Sequence, residues 1–113
     1  MTADAAPART AILHVALFQW KPEVTAGDVE ALVAALETMA AGIPEIRAYR
    51  CGANLRLRPS PADFAVVALV DDEAGLAAYL DAPSHAQVYA EHLTAMVLSR
   101  QAAQIEVPAG TSL

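Results

Sequence analysis

With 113 residues, a formal net charge of −6 and 56% hydrophobic residues, the chain is long enough for one domain with a single core and too apolar for a disordered segment. Its acidity argues against a nucleic-acid or anionic-membrane partner, since both need clustered Lys and Arg. The lone cysteine, Cys51, leaves no intrachain disulfide or cysteine metal cluster and fits a reducing cytoplasm. No apolar run is long enough to span a bilayer.

Residues 1–10 read as a flexible tail, with an acid ahead of Arg9 and no apolar core of the kind a secretory signal carries. A first strand follows over residues 11–20. Side chains alternate along a strand, so Ile12, His14, Ala16, Phe18 and Trp20 share one face and Leu13, Val15, Leu17 and Gln19 the other. Both faces are mostly apolar and should be covered on both sides. Lys21-Pro22 ends the strand. Thr25 to Asp28 resembles a capping box, and Val29, Leu32, Val33, Leu36, Met39 and Ile43 recur at helical spacing up to the Gly42/Pro44 stop.

A second strand is expected over residues 45–53, with Ile46, Ala48 and Arg50 on one side and Arg47, Tyr49 and Cys51 on the other. Residues 54–62 form a connecting loop, and the local basic cluster Arg47, Arg50, Arg56 and Arg58 reads as a solvated edge. Residues 63–70 make a third strand, again apolar on both faces. Asp71, Asp72 and Glu73 open a short helix whose stripe is Leu76, Tyr79 and Leu80. Ala82-Pro83 breaks it. Ser84 to Gln87 then matches a capping box for a third helix carrying Val88, His92, Met96 and Ser99 on one face, widened by Leu93 and Val97. A weak fourth strand is expected at residues 101–107 and a tail at 108–113. The β-α-β-β-α-β order predicts an α+β, ferredoxin-like domain over residues 11–107: a four-stranded antiparallel sheet with helices on one face. The other sheet face would exceed the apolar patch a monomer tolerates. A homodimer through Leu13, Val15 and Leu17 is the simplest cover.

The strand His14-Val15-Ala16-Leu17-Phe18, the helix exit Ile43-Pro44-Glu45-Ile46, Gly52, and the segment from Ala78 to His85 with Tyr79, Pro83 and His85 together resemble the stress-responsive A/B barrel (Dabb) domain family. The resemblance covers residues 12–107. It implies a homodimeric α/β barrel and a functionally loose group that includes cofactor-free polyketide cyclases. It also implies a pocket lined by histidine on strand one, tyrosine on helix two, histidine on strand three and histidine after the proline. These fall on His14, Tyr79, Phe64 and His85. Phe64 departs from the pattern, replacing a polar pocket group by an apolar one.

His85, in the first turn of a helix, should have a lowered pKa and could act as a base on a carbon beside a carbonyl. Tyr79 could polarise that carbonyl. His14 could orient Tyr79 or move the proton onward. Phe18, Phe64, Val33, Leu36, Val88 and Met96 would be pocket wall or simply core. His85 and His92, seven apart, lie nearly on one helix face, but no carboxylate or cysteine joins them at metal-ligand spacing, so neither metal nor cofactor is expected. Cys51 reads as inert packing, and the five dispersed glycines form no phosphate loop. Three functions compete: a cofactor-free cyclase, isomerase or lyase acting on a small apolar carbonyl compound; a stress-associated ligand binder using the same pocket; and a structural homodimer with a filled core.

Overall fold

The computed structural model describes residues 9–113. Most of the expected N-terminal tail, residues 1–8, lies outside the described residues, and Thr10 already belongs to the first strand. The elements are β1 (Thr10–Trp20), α1 (Ala26–Ala41), β2 (Ile46–Ala53), β3 (Phe64–Val70), α2 (Glu73–Leu80), α3 (Pro83–Val88), a π turn (Tyr89–Leu93), α4 (Thr94–Met96) and β4 (Val97–Pro108). The strands form one sheet in the order β2-β3-β1-β4, antiparallel throughout. This is the ferredoxin-like order, and the sheet is open.

The helices cover one face, here the inner face. Ala16 and Phe18 of β1 meet Phe64, Val66 and Ala68 of β3 there, beneath Leu32, Leu36 and Met39 of α1 and Tyr79 of α2. The capping box of α1 forms: Asp28 N–H donates to Thr25 Oγ1 at 3.1 Å and Thr25 N–H to Asp28 Oδ2 at 2.9 Å. Asp72 caps α2 by accepting from Gly75 N–H at 2.8 Å.

Three local expectations need correction. Ser84 does not cap α3; Ala82 is the N-cap, extended at φ −61°, ψ 138°, with no side-chain bond. Pro83 sets this boundary, because it disfavours helical geometry in the residue before it and is itself suited to a first helical position. The third helix does not run to Ser99. It ends at Met96, and β4 takes over at Val97, because the long β1 edge needs backbone partners along its whole length. In β2 a bulge between Ile46 and Ala48 breaks the alternation. Ile46, Tyr49 and Cys51 all pack against the core while Arg47 points out to Asp71 at 3.2 Å. The four basic-cluster arginines are exposed on and beside the edge strand β2, as expected, and three of them also reach other segments. Arg47 ties Asp71 and the Ala109 carbonyl, Arg50 the Leu113 carbonyl, and Arg56 Asp63. The segment after β4 is thereby fastened back to β2.

The outer face carries no helix. Leu17 there is 41% exposed and Ile105 of β4 is 53% exposed, and the loop side chains Leu55 and Leu57 reach 80% and 75%.

Candidate functional site

The strand register builds the site. Tyr49 of β2 pairs with Ala68 of β3, Ala68 with His14 of β1, and His14 with Gln104 of β4. These four positions form one row across the whole sheet, and three carry polar side chains. The His14 ring is 2% exposed, and its Nδ1 lies 2.9 Å from Gln104 Nε2. With the amide in this orientation Gln104 donates and His14 Nδ1 accepts. The imidazole is then neutral, with its proton on Nε2.

Above this row stands Tyr79 of α2. Its ring meets His14 edge-to-face at 5.8 Å, Tyr49 at 6.2 Å and His85 at 5.3 Å. His85 in turn leans on Tyr89 at 5.1 Å. The small Ala68 beneath leaves Tyr79 room to reach both histidines. The three expected residues, His14, Tyr79 and His85, are thus brought together from β1, α2 and α3. The α2–α3 break at Pro83 turns the chain so that Tyr79 and His85, six residues apart, face each other.

Burial dominates the electrostatics. It lowers the pKa of His14, helped by the charge of Arg100 and by His85. It lowers that of His85 as well, again with Arg100, while the Leu80 carbonyl and Asp81 pull the other way. The direction at His85 is the expected one, but the cause is desolvation and a cation rather than a helix dipole; α3 has only six residues. Burial also raises the Tyr79 and Tyr49 hydroxyls, so both stay protonated. The Tyr49 hydroxyl is buried without a hydrogen-bond partner among the described residues. Burial pushes the Cys51 thiol up to about 11, which keeps it protonated and unreactive near neutral pH.

The other expected residues go elsewhere. Phe64 pairs with Phe18, while Ala68 faces His14. Four residues separate Phe64 from that row, about 14 Å along a strand, so Phe64 is not opposite His14 and belongs to a second aromatic cluster with Phe18 and Trp20. Phe18, Leu36, Phe64, Val88 and Met96 are all core residues, with Val33 partly buried against them. They border different hollows rather than one pocket: Val88 a groove of about 350 Å³ between α1 and α3, and Phe64 a hollow of about 460 Å³ beside Leu55 and Leu57. His92 does not share a face with His85. The π turn inserts an extra residue, roughly 100° of rotation, which moves Leu93 inward and His92 out beside Glu23 and Asp28. Among the described residues no three His, Cys, Asp or Glu side chains converge.

Three groups were missed from sequence. Cross-strand register, which no local pattern encodes, brings Tyr49 and Gln104 to the cluster and sets Arg100 across from Phe18. The one usable hint was the alternation of Ala103, Ile105 and Val107, which put Gln104 on the opposite face.

Fold and cluster define a ferredoxin-like α+β protein with a buried His/Tyr group between sheet and helices. The chain belongs to the stress responsive A/B barrel domain family, whose model matches residues 12–107. It is similar to a dimeric ferredoxin-like protein of unknown function from Thermobifida fusca, at 37% identity and a TM-score of 0.80 over 95% of this chain and all of the other. An uncharacterized Streptomyces coelicolor protein is 33% identical over 66% of this chain and 78% of its own length. The hydroxynitrile lyase of Passiflora edulis shares the fold at 13% identity, with a TM-score of 0.75 over 89% of this chain and 95% of the lyase. No helix among the described residues is long and apolar enough to cross a membrane.

Proposed function

We propose that His14, Tyr79 and His85 form a cofactor-free acid–base site for a small, largely apolar carbonyl compound, in a cyclase, isomerase or lyase reaction. The supporting observation is the unbroken edge-to-face contact from His14 through Tyr79 to His85, with both imidazoles biased to the neutral form. His85 is the more accessible of the two histidines. Neutral at pH 7, it takes a proton from a carbon beside the carbonyl. The protonated Tyr79 hydroxyl donates to the carbonyl oxygen and to the enolate that develops there. His14, held by Gln104, orients Tyr79. Phe18 supplies apolar wall, while Val33, Leu36, Phe64, Val88 and Met96 fill the core behind. The Passiflora protein that shares this fold is a hydroxynitrile lyase.

A homodimer belongs to the same reading. Leu13, Val15 and Leu17, with Ile105 and the protruding Leu55 and Leu57, form the apolar face that a second copy would cover. The Thermobifida relative is a dimeric protein. Residence in the cytoplasm fits an unpaired Cys51. The near-complete burial of His14 and Tyr79, at 2% and 3% exposure, favours a second reading, a ligand-free structural homodimer.

Deuterium uptake at the α-carbon of aryl ketones and β-dicarbonyl compounds, followed by NMR in D₂O, separates the two. An acid–base site accelerates exchange over buffer, and His85→Ala lowers the enzymatic rate by about 100-fold or more. Exchange at wild-type rate in both His85→Ala and His14→Ala would refute the acid–base scheme.

A further inference from the structure

β4 extends past the helices, and the inner face that it adds is uncovered. Its side chains on that face are Arg100, Ala102, Gln104 and Glu106, set by their pairing with Phe18, Ala16, His14 and Ile12. All four are exposed. Gln104 reaches inward to His14. The Arg100 guanidinium lies over the Phe18 ring, 5.9 Å from its centroid. Unlike Arg47, Arg50, Arg56 and Arg58, it has no acid or carbonyl within bonding distance among the described residues. In a chain of net charge −6 an unpaired guanidinium is not part of a general basic surface. The acid on the same strand face, Glu106, is six residues away, about 20 Å along the strand. Gln104, on the same strand face as Arg100, touches the His14 ring at 2.9 Å, so the face that carries Arg100 runs to the cluster, and the positive charge of Arg100 acts in the same direction as burial on both histidines.

We propose that Arg100 is the anion-binding end of the site, and that the substrate is a small ketone carrying a carboxylate. The apolar body would lie along Phe18 and Ala102, the carboxylate would take the planar guanidinium in a two-pronged hydrogen bond, and the carbonyl would point toward Tyr79 and His85. This rests on the acid–base reading of the cluster, whose residues would receive the carbonyl end. A solvent-facing arginine that stacks on an aromatic ring presents its donor edge outward, so a ligand can engage it without displacing the stack.

The test is binding by calorimetry, with histidine-ring NMR on the same samples. The ligands are 3-benzoylpropionate and its uncharged methyl ester, and the proteins are wild type, Arg100→Gln and Arg100→Lys, each checked for an unchanged unfolding midpoint. The expected result is that wild type binds the acid at least tenfold more tightly than the ester. Arg100→Gln removes that preference while keeping ester affinity within twofold, and Arg100→Lys keeps part of it. If the ester binds and shifts the His14 and His85 signals but the acid binds no better, the anion subsite is wrong and the acid–base cluster stands. If Arg100→Gln weakens self-association without altering acid-over-ester preference, Arg100 is an interface residue and the proposal fails. If neither ligand binds nor shifts either histidine, the cluster reading and the subsite fall together.

Discussion

At the level of single residues, the proposed site depends on two imidazoles that burial biases toward the neutral form. Both titrate below their ordinary 6.5 in the folded chain. Below pH 6.5 the unfolded chain therefore binds more protons than the native one, and stability rises with pH in that range. The thermal unfolding midpoint should be flat above pH 7 and fall as the pH drops below about 6.5, a slope that weakens when His14 and His85 are both replaced. Tyr79→Phe keeps the ring contacts and loses only the hydroxyl. It should change stability by no more than about 1.5 kcal/mol, yet slow α-carbon exchange by about 100-fold, as chemical denaturation and exchange rates would report. His14 stood out in the sequence as the one titratable group in an apolar strand, whereas Tyr79 and His85 were singled out by the resemblance carried by the Tyr79, Pro83 and His85 segment. Gln104 and Arg100 were not, because a polar residue on an exposed edge strand is unremarkable until register places it across from His14 or Phe18.

At the level of elements, caps and breaks aim the site. Asp72 caps α2, and the Pro83 break turns the chain into α3. Asp72→Ala should cost about 1 kcal/mol. Ser84→Ala should stay within about 0.5 kcal/mol, since no cap bond is lost. Equal losses in urea denaturation would show that the capping assignment at Ser84 was right after all. The strands and α1 were readable from periodicity and their stop signals. The π turn was not. Val88, Leu93 and Met96 are the buried positions of the last helix, and the five-residue step from Val88 to Leu93 reads in sequence as an ordinary widening of a helical face. The β2 bulge escaped for the same reason: Ile46 and Tyr49 share the core side only because one residue steps out of register.

At the level of the whole molecule, one sheet serves two purposes. Its inner face holds the core and the cluster, and its outer face exposes Leu17 and Ile105, the face proposed to meet a second copy. The open sheet and the two-faced apolar strands pointed to a dimer from sequence alone, but the protruding Leu55 and Leu57 sat in a loop that composition marked as solvated. Leu17→Glu combined with Ile105→Glu should convert a dimer into a monomer in sedimentation velocity, with the helices retained. An unchanged mass would move the interface elsewhere. A neutral histidine pair coupled through Tyr79 and open to a carbonyl ligand can be read from imidazole NMR of ¹⁵N-labelled protein, titrated in pH and then with 3-benzoylpropionate methyl ester. The prediction is that His14 and His85 both titrate below 6.5 and that both ring signals move on ligand addition, with His92 unmoved. Ordinary pKa values at both rings, or no movement of either at saturating ligand, would contradict it.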